Sequence, residues 1–304
     1  MIERTACAKI ILCGEHAVVY GRPAIALPLP QLRARAQIQA TAGPIEIVAP
    51  DVAAHFHLHD QPDHPLSQIV SLTLAHLNQQ PATSHHFQLA ITSDIAVASH
   101  LGSGAAVSVA CARAVAAFCG VELTPADASA LAYEVEKLHH GTPSGIDNTV
   151  IAYERPVWFV KGSPPQVLDL PQVLPLVIGD TGVSTPTKEP VGAVRAAWER
   201  DSTQLERQFD AIGGLVLAAR RALQHHDLPA LGIAMNDNHA ALQGLGVSSA
   251  KLDDLCAAAL AAGALGAKMS GGGRGGNMIA LGRDAEHAAK LREALLSAGA
   301  TRVY

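Results

Sequence analysis

The sequence predicts an α+β protein of two lobes, and three observations carry the prediction. Its 304 residues exceed what one compact core usually holds. Short strand-like runs and longer helix-like runs mix in an irregular order. A proline-bearing stretch at residues 162–175, with Pro164 and Pro165 inside it, separates two such sets, so lobes of residues 1–164 and 165–304 are expected.

Taken in order, residues 6–12 read as a strand broken by Gly14-Glu15-His16, and residues 24–27 and 32–40 as two further strands. Residues 45–48 and 55–59 are short strands. Residues 65–78 have the helical spacing of Leu66, Ile69, Val70, Leu74 and Leu77. Residues 87–91 form a strand beside a sheet edge. Residues 105–118 are apolar nearly all round, which predicts a central helix. Thr124 caps the next helix, with Pro125 at its first position and Asp127 at its third. That helix reaches about residue 139. After it comes a polar loop, then an apolar strand. Strands at 157–161 and 173–178 bracket the prolines. Helices follow at about 187–200, 203–226, 228–242 and 248–262. A glycine-rich turn, a strand at 278–281 and a helix at 285–298 complete the chain.

A formal charge of −5 argues against a nucleic-acid binder, which usually presents a basic face. No signal-peptide pattern and no membrane-spanning apolar run is read. The five cysteines are odd in number and lack C-x-x-C spacing, so reduced thiols and a cytoplasmic setting are expected.

Four segments carry chemistry. Lys9 lies in an otherwise apolar strand, where a lysine is costly without a carboxylate or phosphate partner. Ser99, His100, Leu101, Gly102, Ser103, Gly104, Ala105 and Ala106 open the apolar helix. Free N–H groups at a helix start, with glycines that allow close approach, suit a phosphate. Ser103 there either caps the helix or binds a metal-phosphate. In the polar loop Asp147 follows a Gly-x turn, and beside a lysine it stays ionised to orient or deprotonate a hydroxyl. Glu136, near the end of the preceding helix, suits Mg²⁺, which takes one or two carboxylates plus phosphate oxygens and water. Last, Gly271, Gly272, Gly273, Arg274, Gly275 and Gly276 hold more glycine than a tight turn needs, so a loop that folds over a ligand is expected.

Together these segments resemble the GHMP kinases, the family of galacto-, homoserine, mevalonate and phosphomevalonate kinases. Residues 9–21, KIILCGEHAVVYG, and 140–148, HGTPSGIDN, are most similar to the members that phosphorylate mevalonate. The segment Thr185-Pro186-Thr187-Lys188 is similar to one whose threonine touches that substrate. The resemblance implies a first lobe like the second domain of ribosomal protein S5 and a ferredoxin-like second lobe. It implies transfer of the ATP γ-phosphoryl to the C5 hydroxyl of (R)-mevalonate, with Asp147 as base and Lys9 stabilising it. Glu136 and Ser103 would hold Mg²⁺, residues 99–106 would cradle the triphosphate, and Glu15, His16, Ser144, Asp147 and Thr187 would hold the acceptor. Family members are often dimers, so a homodimer is carried over as an expectation.

The chain departs from the family pattern at Ala96 for a proline, His100 for a glycine, Gly104 for a serine that often serves Mg²⁺, and Arg274 for a glycine. Two alternatives stay open: a kinase for another isoprenoid intermediate, and a silent nucleotide-binding homologue. A third reading places a divalent metal on His55, His57 and His59, which share one strand face.

Overall fold

The structure, a computed structural model, describes residues 1–78, 85–96, 100–140, 143–170, 173–186 and 188–304. Its contacts divide the chain into two compact units. The first holds Met1–Lys9, the described residues of 28–97, and Leu101–Arg155; the second holds Ile10–Leu27, His100 and Pro156–Tyr304. Each unit is therefore drawn from several stretches, where the sequence reading used one boundary at residue 164.

Strand β1 (Ile2–Cys13) pairs with β2 (Ala24–Ala40), and each has residues in both units. The two strands expected at 24–27 and 32–40 are thus one strand of 17 residues. Pro28 and Pro30 do not end it. They fall between residues 24–26, which pair with β6 (Val157–Phe159) in the second unit, and residues 34–40, which pair with β5 (Phe87–Ser93). Strand β5 is not an edge: β3 (Glu46–Ala49) lies parallel on its other side, and β4 (Ala54–His57) pairs with β3.

Helices α1 (Pro65–His76), α2 (Ser103–Phe118), α3 (Pro125–His140) and α4 (Ile146–Tyr153) pack together, and α2 packs on β5. Helix α2 is the central one, as its all-round apolarity predicts: ten of its 16 residues are buried. The Thr124 hydroxyl caps α3 by accepting the Asp127 N–H at 3.1 Å. Helix α4 replaces the expected apolar strand after the polar loop. An eight-residue run holding Thr149, Val150 and Ile151 has β-branched content that reads as strand, and only packing against α2 and α3 decides otherwise.

The second unit contains β6 with β7 (Gln166–Val167), and a four-stranded antiparallel sheet in the order β11-β8-β10-β9. Its strands are β8 (Leu176–Asp180), β9 (Gly266–Ser270), β10 (Asn277–Leu281) and β11 (Arg302–Val303). Between β8 and β9 run α5 (Lys188–Arg200), α6 (Ser202–Gln224), α7 (Leu228–Gly244) and α8 (Ala250–Ala261); α9 (Ala285–Ser297) joins β10 to β11. In chain order the strands take positions 4-1-3-2 with helical crossovers, the ferredoxin-like plan. Strands β7, β9 and β11 were not foreseen in the sequence. Among the described residues no helix is long and apolar enough to cross a membrane.

Candidate active site

Lys9 sits on β1 with its side chain 3% exposed, and its Nζ lies 3.0 Å from Oδ1 of Asp147, whose side chain is 31% exposed. The lysine thus has the carboxylate partner that burial demands, and the carboxylate keeps one side toward solvent. Asp147 stands in the first turn of α4, where the helix dipole favours its charge.

Both ends of α4 are tied down. The Asn148 side chain donates to the Ser129 carbonyl at 3.0 Å and to its Oγ at 2.8 Å, and Thr149 Oγ1 donates to the Gly145 carbonyl at 2.6 Å. At the far end Glu154 receives Arg33 at 2.9 Å and Arg113 at 3.0 Å, while Arg113 also donates to the Ala152 carbonyl. Ser144 Oγ accepts the Ile146 N–H at 3.3 Å, which helps start the helix.

The start of α2 adjoins Lys9. The Lys9 N–H donates to the Leu101 carbonyl at 3.0 Å. Gly102 precedes the helix at φ 79°, and a Cβ there would lie 2.8 Å from Ile151 Cδ1 and 3.0 Å from Lys9 Cγ. Only glycine serves both demands. No side chain caps α2, so its first N–H groups point toward any anion at that end. Leu101, Ala105 and Ala106 are buried. Among the described residues Ser103 Oγ donates to the Ile95 carbonyl at 3.5 Å, and a Cβ on Gly104 would meet no described atom within 4 Å.

Glu136 is half-buried on α3. Burial, reinforced by the negative charge of Asp147 and opposed by Lys9, pushes its carboxyl up to about 8. A carboxyl in that state gains from a cation, and the oxygen-only donors here suit Mg²⁺. Among the described residues no group of three His, Cys, Asp or Glu side chains can hold a metal.

The second unit holds the other expected residues. His16 has φ 60°, is 5% exposed, and its Nε2–H donates to the Gly272 carbonyl at 3.0 Å. Burial lowers its pKa to about 4, so the ring is neutral at physiological pH. Glu15 is 1% exposed and ion-paired through Oε1 to Lys268, which is fully buried on β9. Lys268 Nζ also donates to the Met269 carbonyl at 2.6 Å. Glu15 Oε2 has no hydrogen-bond partner among the described residues.

Three neighbours complete this stitching. Ser270 Oγ donates to the Ile11 carbonyl and accepts its N–H, Asn238 Oδ1 accepts the Gly14 N–H at 3.3 Å, and His239 Nδ1 accepts the Met269 N–H at 3.3 Å. Lys268, Ser270 and Asn238 were not singled out from the sequence. For Lys268 the signal existed: it is a lysine between apolar neighbours, like Lys9.

The glycine loop joins β9 to β10. A Cβ on Gly273 would lie 2.0 Å from the Val247 carbonyl oxygen, and one on Gly275 2.5 Å from that of Val183. Gly271 packs on His100 instead, Gly272 receives His16, and Arg274 takes φ 58° with its side chain exposed. His100, expected among the triphosphate contacts, directs its ring to the Thr185 carbonyl. Ser99 and Thr187 lie outside the described residues. His55, His57 and His59 form no group of metal-ligating side chains among the described residues: His55 bonds to Glu46 at 2.6 Å, and His57 stacks on His59, which lies beyond the end of β4.

Comparison with known proteins follows the same lines. A family model described as the GHMP kinases N terminal domain matches residues 67–155, and one described as GHMP kinases C terminal matches residues 219–301. A mevalonate kinase of Thermococcus sibiricus is 39% identical over 296 residues, covering 91% of this chain and 88% of the relative. One of Pyrococcus horikoshii is 37% identical over 313 residues, covering 95% and 91%. The crystal structure of L. major mevalonate kinase in complex with R-mevalonate matches with a TM-score of 0.85 at 27% identity, covering 99% of this chain and 94% of that one.

Proposed function

This chain belongs to the GHMP kinase family, and from that membership we propose that it transfers the γ-phosphoryl group of ATP to the C5 hydroxyl of (R)-mevalonate. The observation that carries the chemistry is the Lys9–Asp147 pair, a carboxylate held by a buried lysine yet reachable from solvent, in a chain 39% identical to a mevalonate kinase.

Asp147 accepts or orients the proton of the acceptor hydroxyl. That oxygen forms the new bond to the γ-phosphorus as the bond to the β,γ-bridging oxygen breaks, and ADP leaves with the bridging oxygen. Lys9 orients the Asp147 carboxylate and offsets charge that grows on the transferring group. The N-terminal turn of α2, with Leu101, Gly102, Ser103, Gly104, Ala105, Ala106 and the preceding Ser99, cradles the triphosphate. Glu136 and Ser103 would be the protein's ligands to Mg²⁺. When bound, Mg²⁺ neutralises phosphate charge. By the family pattern His16, neutral and fixed by Gly272, Ser144 and Thr187 are each candidates to bind the acceptor, and Glu15 could do so only through Oε2. In such a transfer positioning and electrostatics supply most of the rate. A silent homologue has no physical need for a lysine-paired aspartate beside a glutamate poised for a cation.

The test is ADP release with (R)-mevalonate, phosphomevalonate, galactose or homoserine as acceptor, followed by phosphorus–proton NMR of the product. Mevalonate is expected to be the preferred acceptor and the 5-phosphate the product. Preference for phosphomevalonate, or a 3-phosphate product, overturns the assignment.

A further inference from the structure

Two of the chain's departures from the family pattern, His100 and Arg274, stand where glycine is usual, and both take left-handed backbone, at φ 61° and 58°. They converge on one residue. His100 Nε2–H donates to the Thr185 carbonyl at 2.6 Å, and the Thr185 hydroxyl donates to the Arg274 carbonyl at 3.0 Å. Arg274 is itself held, its N–H donating to the Val247 carbonyl at 2.8 Å.

The surroundings are built around the imidazole. A Cβ on Gly276 would lie 2.1 Å from His100 Nδ1, and one on Gly271 3.3 Å from His100 Cβ. The Gly276 N–H donates to the Val183 carbonyl, and its own carbonyl accepts both the N–H and the hydroxyl of Thr181. Residues 181–185 are thus fastened at Thr181, Val183 and Thr185 to the glycine loop and to His100, immediately before α5.

We propose that His100 is a positioning residue for the acceptor: by holding the Thr185 carbonyl it sets the course of residues 181–186 and thereby the affinity for mevalonate. The proposal rests on the functional reading above, in which Thr187, just beyond this stretch in the chain, serves the acceptor. It also accounts for the histidine at 100 and the glycine at 276. A glycine at 100 would leave the Thr185 carbonyl without this donor, and a side chain at 276 would collide with the histidine ring.

The test compares wild type with His100→Gly, which suits φ 61° but has no donor, and His100→Gln, which keeps one. KM for mevalonate, KM for ATP and kcat are measured, together with hydrogen–deuterium exchange of the free protein. For His100→Gly, KM for mevalonate is expected to rise about fivefold, as the loss of one hydrogen bond implies. That rise should exceed any rise in KM for ATP by about threefold or more, with faster exchange across residues 181–186. His100→Gln should recover at least half of both effects. Equal losses in kcat and both KM values, or unchanged KM for mevalonate with unchanged exchange, overturn the proposal. Failure of the wild type to phosphorylate mevalonate sinks the functional reading instead. Exchange then decides for His100 alone: faster exchange at 181–186 upholds its role, and unchanged exchange refutes it.

Discussion

Two lysine–carboxylate pairs invite comparison, one in each unit. Lys9 with Asp147 and Lys268 with Glu15 are the same chemistry on the same scaffold, a lysine projecting from an apolar strand. They differ in access. Asp147 retains 31% exposure of its side chain, whereas Lys268 is 0% and Glu15 1% exposed. A pair removed from water on both sides loses the hydration of two charges and needs further hydrogen bonds to compensate. Lys268 has one at the Met269 carbonyl. The open pair leaves its carboxylate within reach of solvent. The closed pair instead fastens the Gly14–His16 turn to β9, with the Ser270 bonds to Ile11 beside it. The same charge pairing thus gives an accessible carboxylate in one unit and a buried fastening in the other.

The largest expected effect separates them by activity. Asp147→Asn should lower kcat by about 10²–10⁴-fold while ATP affinity stays within about tenfold. Single-turnover kinetics and nucleotide titration check this, and near-normal turnover would end the case for the open pair as the reactive one.

The next effect separates them by stability. Lys268→Met leaves Glu15 buried without its cation and should cost about 3–5 kcal/mol. Adding Glu15→Gln should restore more than half of that. Lys9→Met should cost less than about 2 kcal/mol, because water can reach Asp147. Urea unfolding of the four proteins measures all of this, and equal costs for the two lysines would erase the distinction.

The smallest effect concerns His16, which the closed pair helps to place. Its folded pKa of about 4 lies below the ordinary 6.5. Between these values the unfolded chain binds a proton that the folded one refuses. Stability should therefore fall as pH drops from about 6.5 to 4, by about 3 kcal/mol at most. His16→Gln should lack this part of the slope, read as the wild-type-minus-variant difference in unfolding free energy across that range. A difference that does not change with pH would show that the ring is not held neutral.

The two pairs were unequally legible. Lys9 announced itself because residues 6–12 read as a strand, so its charge was out of place there. Lys268 obeys the same rule, but Gly-Ala-Lys-Met-Ser is short and runs into the glycine loop, so β9 merged with the turn. Asp147 was identified from its neighbours yet placed on a loop, since the β-branched run after it resembles a strand. His100 and Arg274 were visible as departures, whereas their meeting at Thr185 was not, because nothing local links residues 100, 185 and 274.

By itself the sequence determined the family, the α+β class with its central helix α2, and the pairing of Lys9 with Asp147 that the family resemblance implies. Hydrophobic periodicity, caps and misplaced charges are local, and local patterns survive in a string of letters. Tertiary structure alone decided that Lys268 meets Glu15 and which pair stays open to water. Glu15 and Lys268 are 253 residues apart, so their pairing depends on strand order and side-chain packing. Desolvation, which closes one pair and leaves the other open to water, is a property of the surroundings and not of the residue.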